Sequence, residues 1–352
     1  MSKQKRITQQ DIARRAGVHR STVSQALKNH PVIPRKTCER IQRLAEEMGY
    51  RPDPMLSALA SYRNRNHAHT FMGTMAWLYI TDREPLDSWR YSRTNVLYYE
   101  GALKRADQHG YKLELFEFNS QEISIQRMAS ILKARNIAGV LLCPLRGANI
   151  EMDFCWDDFS FITFGYSLKK PELHTVTSTQ YRSMVQTMNK MHERGYRRIA
   201  YVFNNEHSKR TDNNYLSAYL SAQFQIGEPP LVFDYEWRDA KDLAQRLESV
   251  DLEAIVTGDP YLMERMQKVG VRVPEDTAMA CPLLLSNTSD QTGVYENSEH
   301  IGVVAVDCLT KLIMHGDRGI PKLVQRTHIE GEWIEGKSLP DRRKQKKTPR
   351  RT

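Results

Sequence analysis

Apolar positions recur at two different spacings along the chain. Over residues 8–49 they form a sparse comb: Ile12, Ala13, Ala16, then Val18, Val23, Ala26, Leu27, then Cys38, Ile41, Leu44, Ala45 and Met48. Recurrence every three or four residues marks one buried face of a helix. Thr8, with Asp11 three positions on, predicts an N-cap, and Gly17 predicts the end of that first helix. A second helix is expected from about Arg20 to Lys28. A third is expected from Pro34, a favoured first-turn residue, to Gly49. From residue 70 the pattern changes to dense apolar runs separated by amphipathic stretches. Strands are predicted at 71–80, 111–118, 137–145, 161–167, 197–203, 231–235, 254–258 and 278–285. Helices are predicted at 101–110, 125–135, 181–195, 213–225, 241–249 and 261–270. Alternation of this kind gives two parallel-sheet α/β units, whose ligands bind beyond the carboxyl ends of the strands. Trp77 and Tyr79, in the first strand, are expected in the core.

Three short helices with a glycine in the first turn make a helix-turn-helix. Ala13 and Gly17 are small enough for the crossing, and Val18, Val23 and Leu27 anchor the second helix. Its other face is left for base edges and carries Arg20, Ser21 and Gln25. An arginine grips guanine and a glutamine grips adenine with two bonds each, worth about 1–3 kcal/mol of discrimination. The hydroxyls of Thr22 and Ser24 suit phosphates, as do Arg35 and Lys36 at a helix start.

Charge sharpens this division. Residues 1–65 hold 14 Lys and Arg against 5 Asp and Glu, and residues 341–352 hold 7 against 1. The stretch between is acidic, with 30 against 36. A basic head and tail on an acidic body point to a polyanion at the ends. The five cysteines are scattered, with no CxxC and no Cys/His cluster, so reduced thiols in a cytosol are expected and no metal site is. No apolar run approaches a membrane span, and no secretory leader is evident at the N-terminus. The sequence has no HExxH, GxSxG, GxGxxG or P-loop, which removes the support for an enzyme or a cofactor.

The head resembles the LacI/GalR family of bacterial transcription regulators. The residues that carry the resemblance are Thr8, Asp11-Ile12-Ala13, Ala16-Gly17-Val18, Thr22-Val23-Ser24, Lys36-Thr37, Ile41 and Gly49-Tyr50-x-Pro52. His19 departs from it, standing where the family usually has a capping serine. The body resembles the same family through GALKRADQHGYKLELF, HERGYRRIAYV, VGVRVPEDTAMA, VYENSEHIGVVAVDCLTKLI and EGEWIEGKSL. The resemblance implies an N-terminal all-α helix-turn-helix head with a hinge helix, then an α/β, two-lobed, periplasmic-binding-protein-like body. The implied domains are 1–62 (hinge helix about 52–62), a linker 63–69, the body 70–340 and a basic tail 341–352. Lobe 1 would take about 70–174 and 301–326, and lobe 2 about 175–300 and 327–340. Three crossovers would join the lobes, and a helix starting near Gly302 would return the chain to the first. In the family the hinge helix folds when two chains meet on DNA, and its leucine, here Leu59, wedges into the minor groove.

The DNA-binding candidates are therefore Thr8, Arg20, Ser21, Thr22, Ser24, Gln25, Arg35, Lys36 and Leu59. The implied partners are an operator duplex, a second copy of the chain and a small effector, a sugar or related metabolite, in the cleft. No membrane partner is implied. The polar kit for a sugar is thinned. Leu283, within Cys281-Pro282-Leu283-Leu284, replaces a gripping Asp; Asn213-Asn214-Tyr215 replaces an Arg; and Thr179-Gln180 replaces an Asp-Asn pair. The effector candidates at expected strand ends are Tyr166, Asn204, Tyr215, Asp259 and Asn297. The expected function is a cytoplasmic, nucleoid-associated regulator, a repressor. The alternative is a metabolite-sensing solute-binding module that acts through protein contacts and binds nucleic acid only non-specifically.

Overall fold

The computed structural model describes residues 7–27, 32–50, 71–82, 85–236 and 239–345. Leu59, the rest of the expected hinge helix and linker, and most of the basic tail lie outside the described residues.

Three helices make the head: α1 (Gln9–Ala16), α2 (Arg20–Ala26) and α3 (Arg35–Glu47). Thr8 and Asp11 cap α1 reciprocally, and Gly17 closes it at φ 67°, a backbone that favours glycine. The missing capping serine is replaced in kind, since the Nδ1 atom of His19 accepts the Ser21 amide at 3.3 Å. Ile12, Ala13, Val23, Ala26, Cys38, Ile41 and Ala45 form the buried centre. Two side chains of α3 tie the other helices down. Gln42 Nε2 donates to the Ala26 carbonyl at 3.1 Å, and Arg40 Nη2 donates to the Ala16 carbonyl at 3.4 Å.

Lobe 1 is a six-stranded parallel sheet in the order β13-β7-β5-β3-β1-β2. Its strands are β1 (Gly73–Thr81), β2 (Tyr111–Asn119), β3 (Ile137–Leu142), β5 (Ser160–Phe164), β7 (Thr175–Ser178) and β13 (Arg326–Ile329). A parallel sheet is covered on both faces, so its strands read as continuous apolar runs. Helices α4 (Arg93–Gln108) and α11 (Ser298–His315) cover one face, packing Tyr98, Ala102, Ile301 and Leu309 on Trp77, Tyr79 and Ile162. Helix α5 (Ile125–Ala134) covers the other. A small two-stranded ladder, β4 (Ile150–Glu151) with β6 (Leu168–Lys170), flanks the sheet. α4 and α11 meet backbone on backbone. A Cβ at Gly101 would lie 1.9 Å from the Glu299 carbonyl oxygen, and one at Gly302 would lie 2.0 Å from that of Tyr98.

Lobe 2 repeats the plan with the order β14-β12-β11-β10-β8-β9. Its strands are β8 (Ile199–Phe203), β9 (Leu231–Asp234), β10 (Ala254–Thr257), β11 (Ala278–Leu284), β12 (Thr292–Tyr295) and β14 (Glu332–Ile334), the last antiparallel to β12. Helices α6 (Gln180–Glu193) and α8 (Asn214–Ile226) cover one face, and α9 (Ala240–Glu248) and α10 (Leu262–Lys268) the other. A short helix, α7 (Asn205–Arg210), follows β8.

The lobe boundaries sit a few residues from their expected places. Residues 175–178 and 326–329 belong to the first sheet, because Thr175–Ser178 pairs with both β5 and β13. The helix that returns to lobe 1 starts at Ser298, not near Gly302. Helix α4 begins eight residues before its predicted start, capped by Ser92. The chain crosses between lobes after β7, after β12 and after β13, and hydrogen bonds tie the three crossings together. Glu296 accepts from Ser178 Oγ at 2.9 Å, Ser298 Oγ at 2.5 Å and Tyr98 Oη at 3.4 Å. Glu330 accepts from Thr179 Oγ1 at 3.1 Å, and its carbonyl accepts from Asn297 Nδ2 at 3.1 Å.

Candidate functional site: a basic helix face and an interlobe cleft

Val23 and Ala26 turn one side of α2 into the head's core. At 3.6 residues per turn, the opposite arc is centred on Ser21 and Gln25, with Ser24 beside them and Arg20 and Thr22 at its edges. Arg20 and Ser21 are exposed, and Thr22, Ser24 and Gln25 are half-buried. The structure thus brings five of the sequence candidates onto one face. Arg35 and Lys36 are exposed at the start of α3. The Arg35 Nε to Glu39 bond of 3.2 Å is largely exposed and contributes little. Thr8 differs from the rest. Its hydroxyl donates to Asp11 Oδ2 at 2.7 Å and accepts the Asp11 amide at 3.3 Å, so its side chain is spent on the cap.

Between the lobes lies a cleft of about 1240 Å³. As predicted for parallel sheets, its walls are built at the carboxyl ends of the strands: Ile80 to Asp82, Pro144 to Gly147, Phe164 to Ser167, Asn204, and Gly258 with Pro260 and Tyr261. Leu283 lines it as well.

Residues 8–53 match the family model for bacterial regulatory proteins of the lacI family. The head is thus similar to those of the lacI family. The chain is also 25% identical over 198 residues to the HTH-type transcriptional regulator PtxS of Pseudomonas plecoglossicida. That stretch is 56% of this chain and 54% of the relative, so the match spans about half the relative's length. Among solved structures, the fold resembles the transcriptional regulator CelR–cellobiose complex, with TM-score 0.58 and 18% identity over 95% of this chain and all of that one. It also resembles the lac repressor dimer bound to operator and the anti-inducer ONPF, with TM-score 0.56 and 15% identity over 96% of this chain and all of that one. The fold is thus a lacI-type head followed by two α/β lobes of periplasmic-binding-protein type, and the relatives found are transcription regulators.

Behind the lacI-type head, three of the five effector candidates line the cleft: Tyr166, Asn204 and Tyr215. Tyr166 Oη lies 3.1 Å from His328 Nε2. Asn204 is largely committed to structure, because its Oδ1 caps α7 and its Nδ2 donates to the Tyr235 carbonyl at 3.4 Å. Tyr215 is buried against Phe203, ring centroids 5.5 Å apart. Asp259 and Asn297 lie off the cleft wall. Asp259 is buried, accepts the Tyr261 amide at 2.9 Å and pairs with Arg265, so it positions Arg265, which does line the cleft. Asn297 opens α11 at the crossing between lobes, with φ 60°.

Sequence reasoning missed the charged part of this wall: Arg93, Arg146, Arg210, Arg265 and His207, with the carboxylates of Asp82, Glu151, Glu206, Glu236 and Glu296. Charges scattered over loops, helix ends and short elements carry no periodic signal, and only the meeting of two lobes gathers them. Burial raises the Glu296 carboxyl above its ordinary range, against the hydrogen bonds from Ser298, Ser178 and Tyr98 that lower it. His207 is held between Phe203 and Tyr215, ring centroids 6.1 and 6.2 Å away. Burial first, and then the charge of Arg210, push its imidazole down to about 3. The folded state therefore keeps this ring neutral at pH values where an unfolded histidine, with a pKa near ~6.5, takes up a proton. Because the unfolded chain binds the extra proton, stability falls as pH drops below about 6.5, by up to ~1.4 kcal/mol per unit. Urea unfolding at roughly pH 7 and pH 5 is expected to show a shallower pH dependence for His207→Gln than for wild type. Equal slopes would remove His207 from the buried wall.

Proposed function

We propose that the protein is a sequence-specific DNA-binding transcription regulator, a repressor acting as a homodimer in the bacterial cytoplasm. Its operator affinity is set by a small effector in the interlobe cleft. The observation that carries this reading is the face of α2: Val23 and Ala26 hold it on the head's core, while Arg20, Ser21, Ser24 and Gln25 turn outward together. A short helix presented this way fits the major groove and puts hydrogen-bonding side chains against base edges. Two such heads, one from each copy, read half-sites about one helical turn apart. The CelR complex with cellobiose supports a polyol-like ligand for the cleft, and the operator-bound lac repressor dimer supports the assembly. No enzymatic role is proposed. An effector that binds one lobe arrangement better than another shifts the population, and with it the spacing and affinity of the heads.

Selection of binding sites from random duplex, in parallel for wild type and three variants, tests this. Arg20→Ala and Gln25→Ala are each expected to relax one position of the motif, about 10- to 100-fold in preference. Lys36→Ala is expected to weaken all sites alike and to lower the salt slope by about one. An unchanged motif in both Arg20→Ala and Gln25→Ala overturns the readout. A wild-type protein with steep salt dependence and no preferred site is instead a non-specific tether.

A further inference from the structure

Arg210 ends helix α7 on lobe 2 and faces the cleft. Among the described residues it makes no hydrogen bond or ion pair, and its Nε is buried without an acceptor. Burial pulls the guanidinium below its ordinary value. The groups that oppose this are Cys143, Tyr98 and Tyr79 of the other lobe, ahead of Glu206. Glu206 is itself paired with Lys209 at 3.2 Å. Arg146 of lobe 1 also has no carboxylate partner among the described residues: its Nη1 reaches Ser88 Oγ at 3.5 Å, and Ser88 Oγ lies 3.1 Å from Tyr79 Oη. Two guanidinium groups without a carboxylate partner among the described residues, one from each lobe, thus line the same cleft. The other arginines on the wall are balanced, Arg93 by Glu100 at 3.4 Å and Arg265 by Asp259.

A guanidinium nitrogen buried without an acceptor is costly, and a guanidinium fork matches the paired oxygens of a carboxylate or phosphate. We propose that the effector carries an oxyanion, a carboxylate or a phosphate, seated between Arg146 and Arg210. The inference rests on the cleft being the effector site, and it adds the charge class of the ligand. An oxyanion held from both lobes binds the closed arrangement better than an open one, which is the differential affinity a population shift requires.

The test uses the full chain. Inorganic phosphate is expected to raise the melting temperature more than chloride at matched ionic strength, and Arg210→Gln is expected to abolish the difference. In titration calorimetry, gluconate or glucose 6-phosphate is expected to bind at least about tenfold tighter than glucose. Whichever binds tells carboxylate from phosphate. Arg210→Gln and Arg146→Gln are each expected to remove that preference, while Arg272→Gln, on the surface, leaves it. The proposal is overturned if phosphate acts no differently from chloride and no anionic probe outbinds glucose. Survival of the preference in both cleft variants overturns it equally. Operator selection is measured on the same preparations. A selective operator binder with no anion preference defeats this inference alone, whereas loss of operator selectivity defeats the regulator reading.

Discussion

Gly302→Ala is expected to destabilise lobe 1 by about 3 kcal/mol or more, read as a lowered urea midpoint. Alanine ordinarily stabilises a helix by up to ~1 kcal/mol over glycine, so the expected change is opposite in sign to local propensity. The reason is contact. The new Cβ would lie 2.0 Å from the Tyr98 carbonyl oxygen and 2.8 Å from the Ala102 amide nitrogen, main-chain atoms that cannot rotate aside. α4 and α11 have to part, and Tyr98, Ala102, Ile301 and Ala305 lose their packing on the sheet. Gly101→Ala, which meets the Glu299 carbonyl at 1.9 Å from the other side, is expected to do the same. A stabilised Gly302→Ala protein would show that the two helices do not touch.

Val23→Asp is expected to abolish operator preference, a loss of about 10³-fold or more, without moving the unfolding transition of the lobes. Val23 is fully buried among Ile12, Ile41 and Ala45, in a core of only a few side chains. An unpaired carboxylate there outweighs what so small a core supplies. Mobility shift on the preferred duplex, alongside urea melts of the same protein, separates the two effects. Retained operator binding would mean that α2 is not seated through Val23.

What could be read in advance follows from where the physics is local. Thr8, Asp11 and Gly17 act within one turn of α1, so its ends are legible to the residue. The first strand's unbroken apolar run likewise announces a sheet buried on both faces, and Trp77 and Tyr79 are in the core as expected. Thr175–Ser178 is another matter. It is wholly buried, yet short and hydroxyl-rich, and its place is set by pairing with β13, about 150 residues away. That one missed strand displaced the expected lobe boundary. Of the cleft, the aromatic residues at strand ends were accessible to reasoning, because strand ends can be counted. Arg146 and Arg210 were not, since each is a lone charge in its own neighbourhood and only the meeting of two lobes gives it meaning. His19 shows the converse: the departure from the family was visible, but its remedy, a ring nitrogen in place of a hydroxyl, needed the geometry.

Glu296 and Glu330 bind the three interlobe passages of the chain into one bundle. Three tethers fastened to one another limit how the two bodies can move apart, where a lone strand would let them drift.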